Sequence, residues 1–301
     1  MQCAVMYRTE LECERAFHEM GMVYNANTPE NHPVIFRTAR DYESAMSILA
    51  VCARMFPGVT IYAFQIMSNH VHLVAGGAEN EILEFFSFFV GRLNKYFEGQ
   101  VDLSGFVLKL FPVSDLSYFR NAVAYVNRNG FVVNNEVTPF TYRWGSSQYF
   151  FQPVCVKYDK LVGRPIGITA LRTLMHSRDC DAQRGMRIVD GCLSPLDFCH
   201  ISEAEYAFRD ARQYFYWISK NVEAYSDVAK SIGEAIFYTD NDLYGAATKM
   251  AKEQYGDGNL KTLPAEAKKE LARRLHFDYN AGDKQLRRLL GIDEMVLKAM
   301  F

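Results

Sequence analysis

Two short runs hold side chains that could do chemistry. The first is Asn69-His70-Val71-His72-Leu73. In an extended chain residues i and i+2 share a face, so His70 and His72 point one way while Val71 and Leu73 enter the opposite layer. Two neutral imidazoles side by side are half of a divalent-cation site, short of one or two ligands and open to a substrate. The same pattern also describes a polar strand face with incidental histidines. The second run is Tyr125-Val126-Asn127-Arg128-Asn129. In a helix, i and i+4 lie one turn apart on one face, which brings a phenol and an amide oxygen toward one region of space. It too has a plainer reading, because Asn129-Gly130 suits a helix C-terminus and Tyr125 suits a core. Tyr118, on nearly the same face, is a rival phenol, but its i+4 neighbour Ala122 offers no ligand atom; Asn121 is a second candidate amide.

Hydrophobic spacing outlines the elements that must position these groups. Glu10 to Met20 reads as a short helix and Gly21 to Asn25 as a strand, ended by the loop around Pro29 and Pro33. With Asp41 as N-cap, Ala45, Ile48, Leu49, Cys52 and Met55 keep helical spacing until Pro57-Gly58. Val59 to Met67 and His70 to Ala75 read as strands joined tightly through Ser68-Asn69. Glu81 to Phe97 is an amphipathic helix whose four clustered phenylalanines, Phe85, Phe86, Phe88 and Phe89, have core spacing rather than that of a base-stacking platform. A strand at Phe106 to Phe111 and a helix at Leu116 to Arg128 follow, and Pro139 to Phe151 reads as a closing loop. The order β-α-β-β-α-β-α implies an α+β domain, a mostly antiparallel sheet with helices on one face. The boundary is expected near 150–165, dividing the chain into 1–155 and a helical region, 156–301. Helices are expected there at about 168–178, 202–220, 223–237, 241–255, 264–276 and 283–290, with a last one from 293.

Composition narrows the function classes. The chain has 301 residues, 49 % hydrophobic and 23 % charged, which excludes disordered, collagen-like and disulfide-scaffold classes. No apolar run reaches the ~18–20 residues of a membrane span, so no membrane partner is expected. The first residues lack the basic-then-apolar order of a signal peptide. The seven cysteines are scattered with no C-x-x-C pair, so a reducing, cytoplasmic location is expected. Net charge is −2, and residues 1–150 carry 11 Lys and Arg against 14 Asp and Glu. Residues 251–301 carry the basic excess, 10 against 8. A nucleic-acid partner must therefore contend with an acidic front half.

Taken together, H-hydrophobic-H on a strand followed by Y-x-x-x-N on a helix resembles the single-tyrosine HUH transposases, and more narrowly the REP-associated tyrosine transposases. Asn25 and the stretch from Val34-Ile35-Phe36 to Asp41-Tyr42 resemble that family's opening strand and helix entry. Ile66 to Leu73 is similar to its LMPNHVHLL signature, with Ser68 for Pro, and Tyr142-Arg143-Trp144-Gly145-Ser146-Ser147 to its YrWSS motif with one glycine inserted. The similarity covers about 22–150. It implies a ferredoxin- or RRM-like HUH domain in which His70, His72 and Asn129 hold one Mg²⁺ or Mn²⁺. It also implies that Tyr125 attacks a phosphodiester of single-stranded, hairpin-bearing DNA to give a 5′-phosphotyrosine. A phenol of pKa ~10 needs such help to act as nucleophile near neutrality. Where the family has Pro after the amide, this chain has Gly130-Phe131, and the strand before the tyrosine helix offers only Lys109. Arg92, Lys95, Lys109, Arg120, Arg128 and Arg143 are the cations expected along a DNA track.

The second half carries weaker signals. His176, Cys180, Cys192, Cys199 and His200 fit no zinc-site spacing. Residues 283–301 resemble a helix-turn-helix with Gly291 at the turn and Ile292 and Leu297 as core, beside the cations Arg273, Arg274, Lys284, Arg287 and Arg288. Three readings stay open: a metal-dependent DNA strand transferase, a structured-DNA-binding or regulatory relative with little cleavage, and an unrelated metal-dependent hydrolase. Whether the chain acts as monomer or homodimer stays open too.

Overall fold

The computed structural model describes residues 7–29, 32–133, 141–175, 185–219, 240–279 and 281–301. Four strands, β1 (Val23–Asn27), β2 (Thr60–Ile66), β3 (Val71–Gly76) and β4 (Lys109–Pro112), form an antiparallel sheet in the order β2-β3-β1-β4. The Met67 N–H donates to the His70 carbonyl at 2.8 Å, so Ser68 and Asn69 form a two-residue hairpin loop between β2 and β3. Register sets Asn27 opposite His72 on one side, Gln65 opposite His72 on the other, and Lys109 opposite Asn27. Directly opposed residues share a face, so Lys109, Asn27, His72 and Gln65 form one row of polar side chains across the sheet. The alternate residues Val71, Leu73, Phe64 and Ile66 are buried on the other face.

That apolar face is closed by helices α2 (Ala39–Met55) and α3 (Glu79–Tyr96), which pack together and bury Ile48, Leu49, Cys52, Phe85, Phe86 and Phe89. Of the phenylalanines of α3, Phe85, Phe86 and Phe89 are core, as their spacing implies, whereas Phe88 is partly exposed beneath Arg92. Helix α2 starts at a different residue from the one expected. Thr38 is the N-cap, and Asp41, at the third helical position, accepts the Thr38 N–H at 2.8 Å while Thr38 Oγ1 accepts the Asp41 N–H at 3.2 Å.

Helices lie on both faces of the sheet, not one. Helix α4 (Leu116–Val133) covers the polar row: its Tyr125 ring meets His72, and its Phe119 meets Tyr62 of β2 and Phe17 of the first helix, α1 (Glu10–Glu19). Asn129-Gly130 does not end this helix, which continues to Val133. Every residue from Ala122 to Asn129 is buried, and such packing outweighs the ~1 kcal/mol that a helical glycine costs. Strand β4 begins at Lys109 instead of Phe106, whose ring turns inward against Phe86 and His32.

The following segment stays with the sheet. Gly145 bridges to Gln65 beside β2, and a Cβ there would stand 2.7 Å from the Phe64 carbonyl, so only glycine permits this approach. Helices α5 (Pro153–Val162), α6 (Ile168–Met175), α7 (Ile201–Tyr206) and α8 (Ala211–Ser219) follow. With them is a small antiparallel sheet of β5 (Arg164–Pro165), β6 (Arg187–Val189) and β7 (Cys192–Leu193). The helix expected over 202–220 is therefore two, with Asp210 capping the second by accepting the Gln213 N–H at 2.8 Å.

The chain divides into two compact units, residues 1–131 with 136–219 and residues 132–135 with 220–301, so a boundary at 155 falls inside the first unit. In the second unit, helices Asp240–Tyr255, Ala265–Tyr279, Asp283–Leu290 and Glu294–Met300 enclose Leu243, Leu271, Leu275, Leu286, Leu290 and Leu297. Gly291 closes the third of these at φ 67°, and Asp293 caps the fourth. Ile292 is partly buried against that core. The helix expected at 223–237 lies outside the described residues. Among the described residues, no helix is long and apolar enough to cross a membrane.

Candidate active site

The centre of the polar row is a pair of imidazoles. The rings of His70 and His72 lie 4.6 Å apart at 85°, and the Tyr125 ring stands edge-on to His72 at 5.4 Å. The hairpin supplies the first two by strand alternation, and α4 supplies the third by crossing that face. Of the two phenols weighed on α4, Tyr125 is the one whose ring meets His72. Asn129 lies one turn further along α4, and its buried Nδ2 donates no hydrogen bond among the described residues.

Each imidazole is held through Nδ1 by an asparagine. His72 Nδ1 lies 2.5 Å from Asn27 Oδ1, and His70 Nδ1 lies 2.8 Å from Asn69 Oδ1. Each amide is oriented by a second bond: Asn27 Nδ2 donates to Asn25 Oδ1 at 3.3 Å, and Asn69 Nδ2 to the His32 carbonyl at 2.9 Å. An amide oxygen only accepts, so each ring donates from Nδ1, and its Nε2 carries a lone pair. Burial lowers the His70 pKa to about 4. It drives His72 well below the ordinary imidazole value, with the neighbouring His70 adding to the effect. Both rings are therefore neutral near pH 7, the form that ligates metal.

The chemistry of this donor set fits a divalent cation. Two neutral nitrogens and the carboxamide of Asn129 would hold it, with an outer asparagine behind each imidazole. Among the described residues no three His, Cys, Asp or Glu side chains gather in a cation-binding group.

The site is covered. His72 is 0 % exposed, His70 6 %, Tyr125 7 % and Asn129 7 %. A phosphodiester reaches these groups only if part of what covers them moves. A cleft of about 680 Å³ lies elsewhere, lined by Arg8, Phe151, Lys157, Lys160 and Glu205 among others.

The six expected cations separate into two groups. Lys95 and Lys109 are exposed, Arg92 is half-buried with its guanidinium over Phe88, and Arg143 stacks on Trp144 while reaching Glu43 and the Asp190 carbonyl. Arg128 is buried. Arg120 is a buried strut: its Nε donates to the Ala207 carbonyl at 2.7 Å and its two terminal nitrogens clasp Glu10 at 2.5 and 3.2 Å. It ties α4 to α1 and to the end of α7 and does not line a surface track. Asn27, which orients His72, was missed in the sequence. The signal was there, because Asn25-Ala26-Asn27 repeats the i, i+2 spacing that singled out the histidines. No family model, curated protein or solved structure matches the chain.

Proposed function

We propose that the first unit is a metal-dependent single-strand DNA strand transferase of the HUH type, with Tyr125 as nucleophile. The observation that carries this reading is the meeting of two imidazoles, each held at Nδ1 by an asparagine oxygen, with the phenol of a crossing helix. The strand order β2-β3-β1-β4 with two helical crossovers supports it, being the order of a split β-α-β, ferredoxin-like plan.

His70, His72 and Asn129 would hold Mg²⁺ or Mn²⁺. When bound, the cation supplies Lewis-acid stabilisation of charge growing on the phosphoryl oxygens. Tyr125 Oη forms the bond to phosphorus, and the bond from phosphorus to the 3′ oxygen breaks. The phenol's proton passes to solvent, and the leaving 3′ oxygen takes one up as a free hydroxyl. The phosphotyrosine keeps a phosphodiester-like bond, so attack by a 3′-hydroxyl reverses the step and rejoins the strand without an external energy source. The Asn129 Nδ2 donor, buried and without an acceptor among the described residues, is suited to a phosphate oxygen.

One observation favours a second reading, structured-DNA binding with little cleavage: all four side chains are more than nine-tenths buried. A single experiment separates the two. End-labelled single-stranded hairpins are incubated with protein and Mn²⁺ or Mg²⁺ and run on denaturing gels. Strand transfer gives a covalent adduct that disappears with a chelator, in Tyr125→Phe and in His70→Ala. A native gel shift without adduct supports the binding reading. Cleavage that persists in Tyr125→Phe overturns Tyr125 as nucleophile and points to a hydrolase.

A further inference from the structure

The two asparagines behind the histidines come from different elements and do the same thing. Asn27 reaches His72 from the neighbouring strand β1, and Asn69 reaches His70 from the hairpin loop. Each would lose its meaning if its amide could rotate end for end. Neither rotates without cost, because the Asn25 side chain and the His32 carbonyl each take the amide N–H₂. The loop bearing Asn69 is itself pinned, since the Ile35 and Phe36 N–H groups both donate to the Ser68 carbonyl, at 2.8 and 2.9 Å.

We propose that Asn27 and Asn69 are positioning residues that lock His72 and His70 in the Nδ1–H tautomer, so that the sheet presents two Nε2 lone pairs to a divalent cation before any cation arrives. The inference rests on the metal-dependent reading above, and concerns how its site is prepared. Which ring nitrogen of a neutral histidine holds the proton is set by the bond made at the other. A ring turned to the Nε2–H form would offer a proton where a ligand is needed, and binding would first have to break its outer bond. Outer partners of this kind are worth about 10–100-fold in metal affinity. With no carboxylate in the donor set to raise affinity through charge, preorganisation is what these residues contribute.

The test uses the full chain, metal-free, with ¹⁵N-labelled histidine. Long-range ¹H–¹⁵N spectra read the tautomer of each ring, and calorimetry with Mn²⁺ alone reads affinity. The wild type should show both rings protonated on Nδ1. Asn69→Ala, at a half-buried loop position, should release His70 into a tautomer mixture and weaken Mn²⁺ binding about 10–100-fold. Asn69→Asp, which keeps an acceptor, should retain the tautomer. Asn27 is deeply buried, so its replacement can unfold the chain, and the wild-type His72 spectrum serves in its place. Nε2–H rings in the wild type, no Mn²⁺ binding by the wild type, or a folded Asn69→Ala with unchanged tautomer and affinity each overturns the proposal. The DNA adduct assay is separate: locked rings and Mn²⁺ binding without an adduct overturn strand transfer alone.

Discussion

His72 shows what a single side chain owes to its surroundings. Its ring sits between Asn27 and Tyr125 with no exposure, held by a hydrogen bond to the amide oxygen of a residue 45 positions earlier. His72→Ala leaves the Asn27 oxygen without its donor and opens a cavity, so we expect a loss of about 2–4 kcal/mol in urea unfolding, together with loss of Mn²⁺ binding. Glu10 titrates for a different reason. The hydrogen bond from Arg120 is the largest influence and lowers its pKa below the usual 4.5, against a smaller opposing effect of burial. A carboxylate with a depressed folded-state pKa contributes stability that is complete above the unfolded value and is lost as pH falls through the folded one. Wild type should therefore lose more thermal stability than Glu10→Gln as pH drops from about 5 to 3. Equal losses would show that Glu10 and Arg120 are not coupled. The imidazole pair was legible in the sequence because i, i+2 alternation is local. The fate of Arg120 was not, because nothing near residue 120 indicates that a carboxylate 110 positions away will meet it.

At the scale of elements, the ends were harder to read than the bodies. Helix α2 begins two residues before Asp41, because Thr38 and Asp41 form a reciprocal cap. Thr38→Ala should cost about 1 kcal/mol by thermal or urea melting, while Asp41→Asn should cost less, since an amide oxygen still accepts the Thr38 N–H. Gly145 makes a sharper case. A Cβ there meets the Phe64 carbonyl at 2.7 Å, which would push the bridge to Gln65 apart and disturb the bonds between Ser146 and Phe64. Gly145→Ala is expected to destabilise by about 1–3 kcal/mol, with amide exchange at Ile66 and Ser146 accelerated; unchanged exchange would mean that the backbone accommodates the methyl. The strands of the small sheet hold two or three residues each. Runs that short have no period to detect, and neither Arg164-Pro165 nor Cys192-Leu193 differs from loop sequence.

Over the whole molecule, charge sets a limit on any DNA interaction. Of the six cations expected along a track, Arg120 and Arg128 are buried, leaving Arg92, Lys95, Lys109 and Arg143. Four phosphate contacts correspond to a slope of about −3 for log K against log salt on single strands. Fluorescence anisotropy with labelled oligonucleotides should therefore give a slope no steeper than about −3. A markedly steeper one would mean that cations elsewhere, such as the basic residues of 251–301, take part. The boundary after residue 219 was not expected from the sequence, which shows helical patterns on both sides of it. By itself the sequence determined the β-α-β-β-α-β order, the shared face of His70 and His72, and the amphipathic burial of α2 and α3, all of which follow from periods of two and 3.6 residues. Only the tertiary structure decided that Tyr125 would stand against His72, that Asn27 would orient the ring, and that α4 would cross the sheet's polar face. Those contacts join segments tens of residues apart, and their choice depends on which surfaces bury one another, a quantity no local pattern contains.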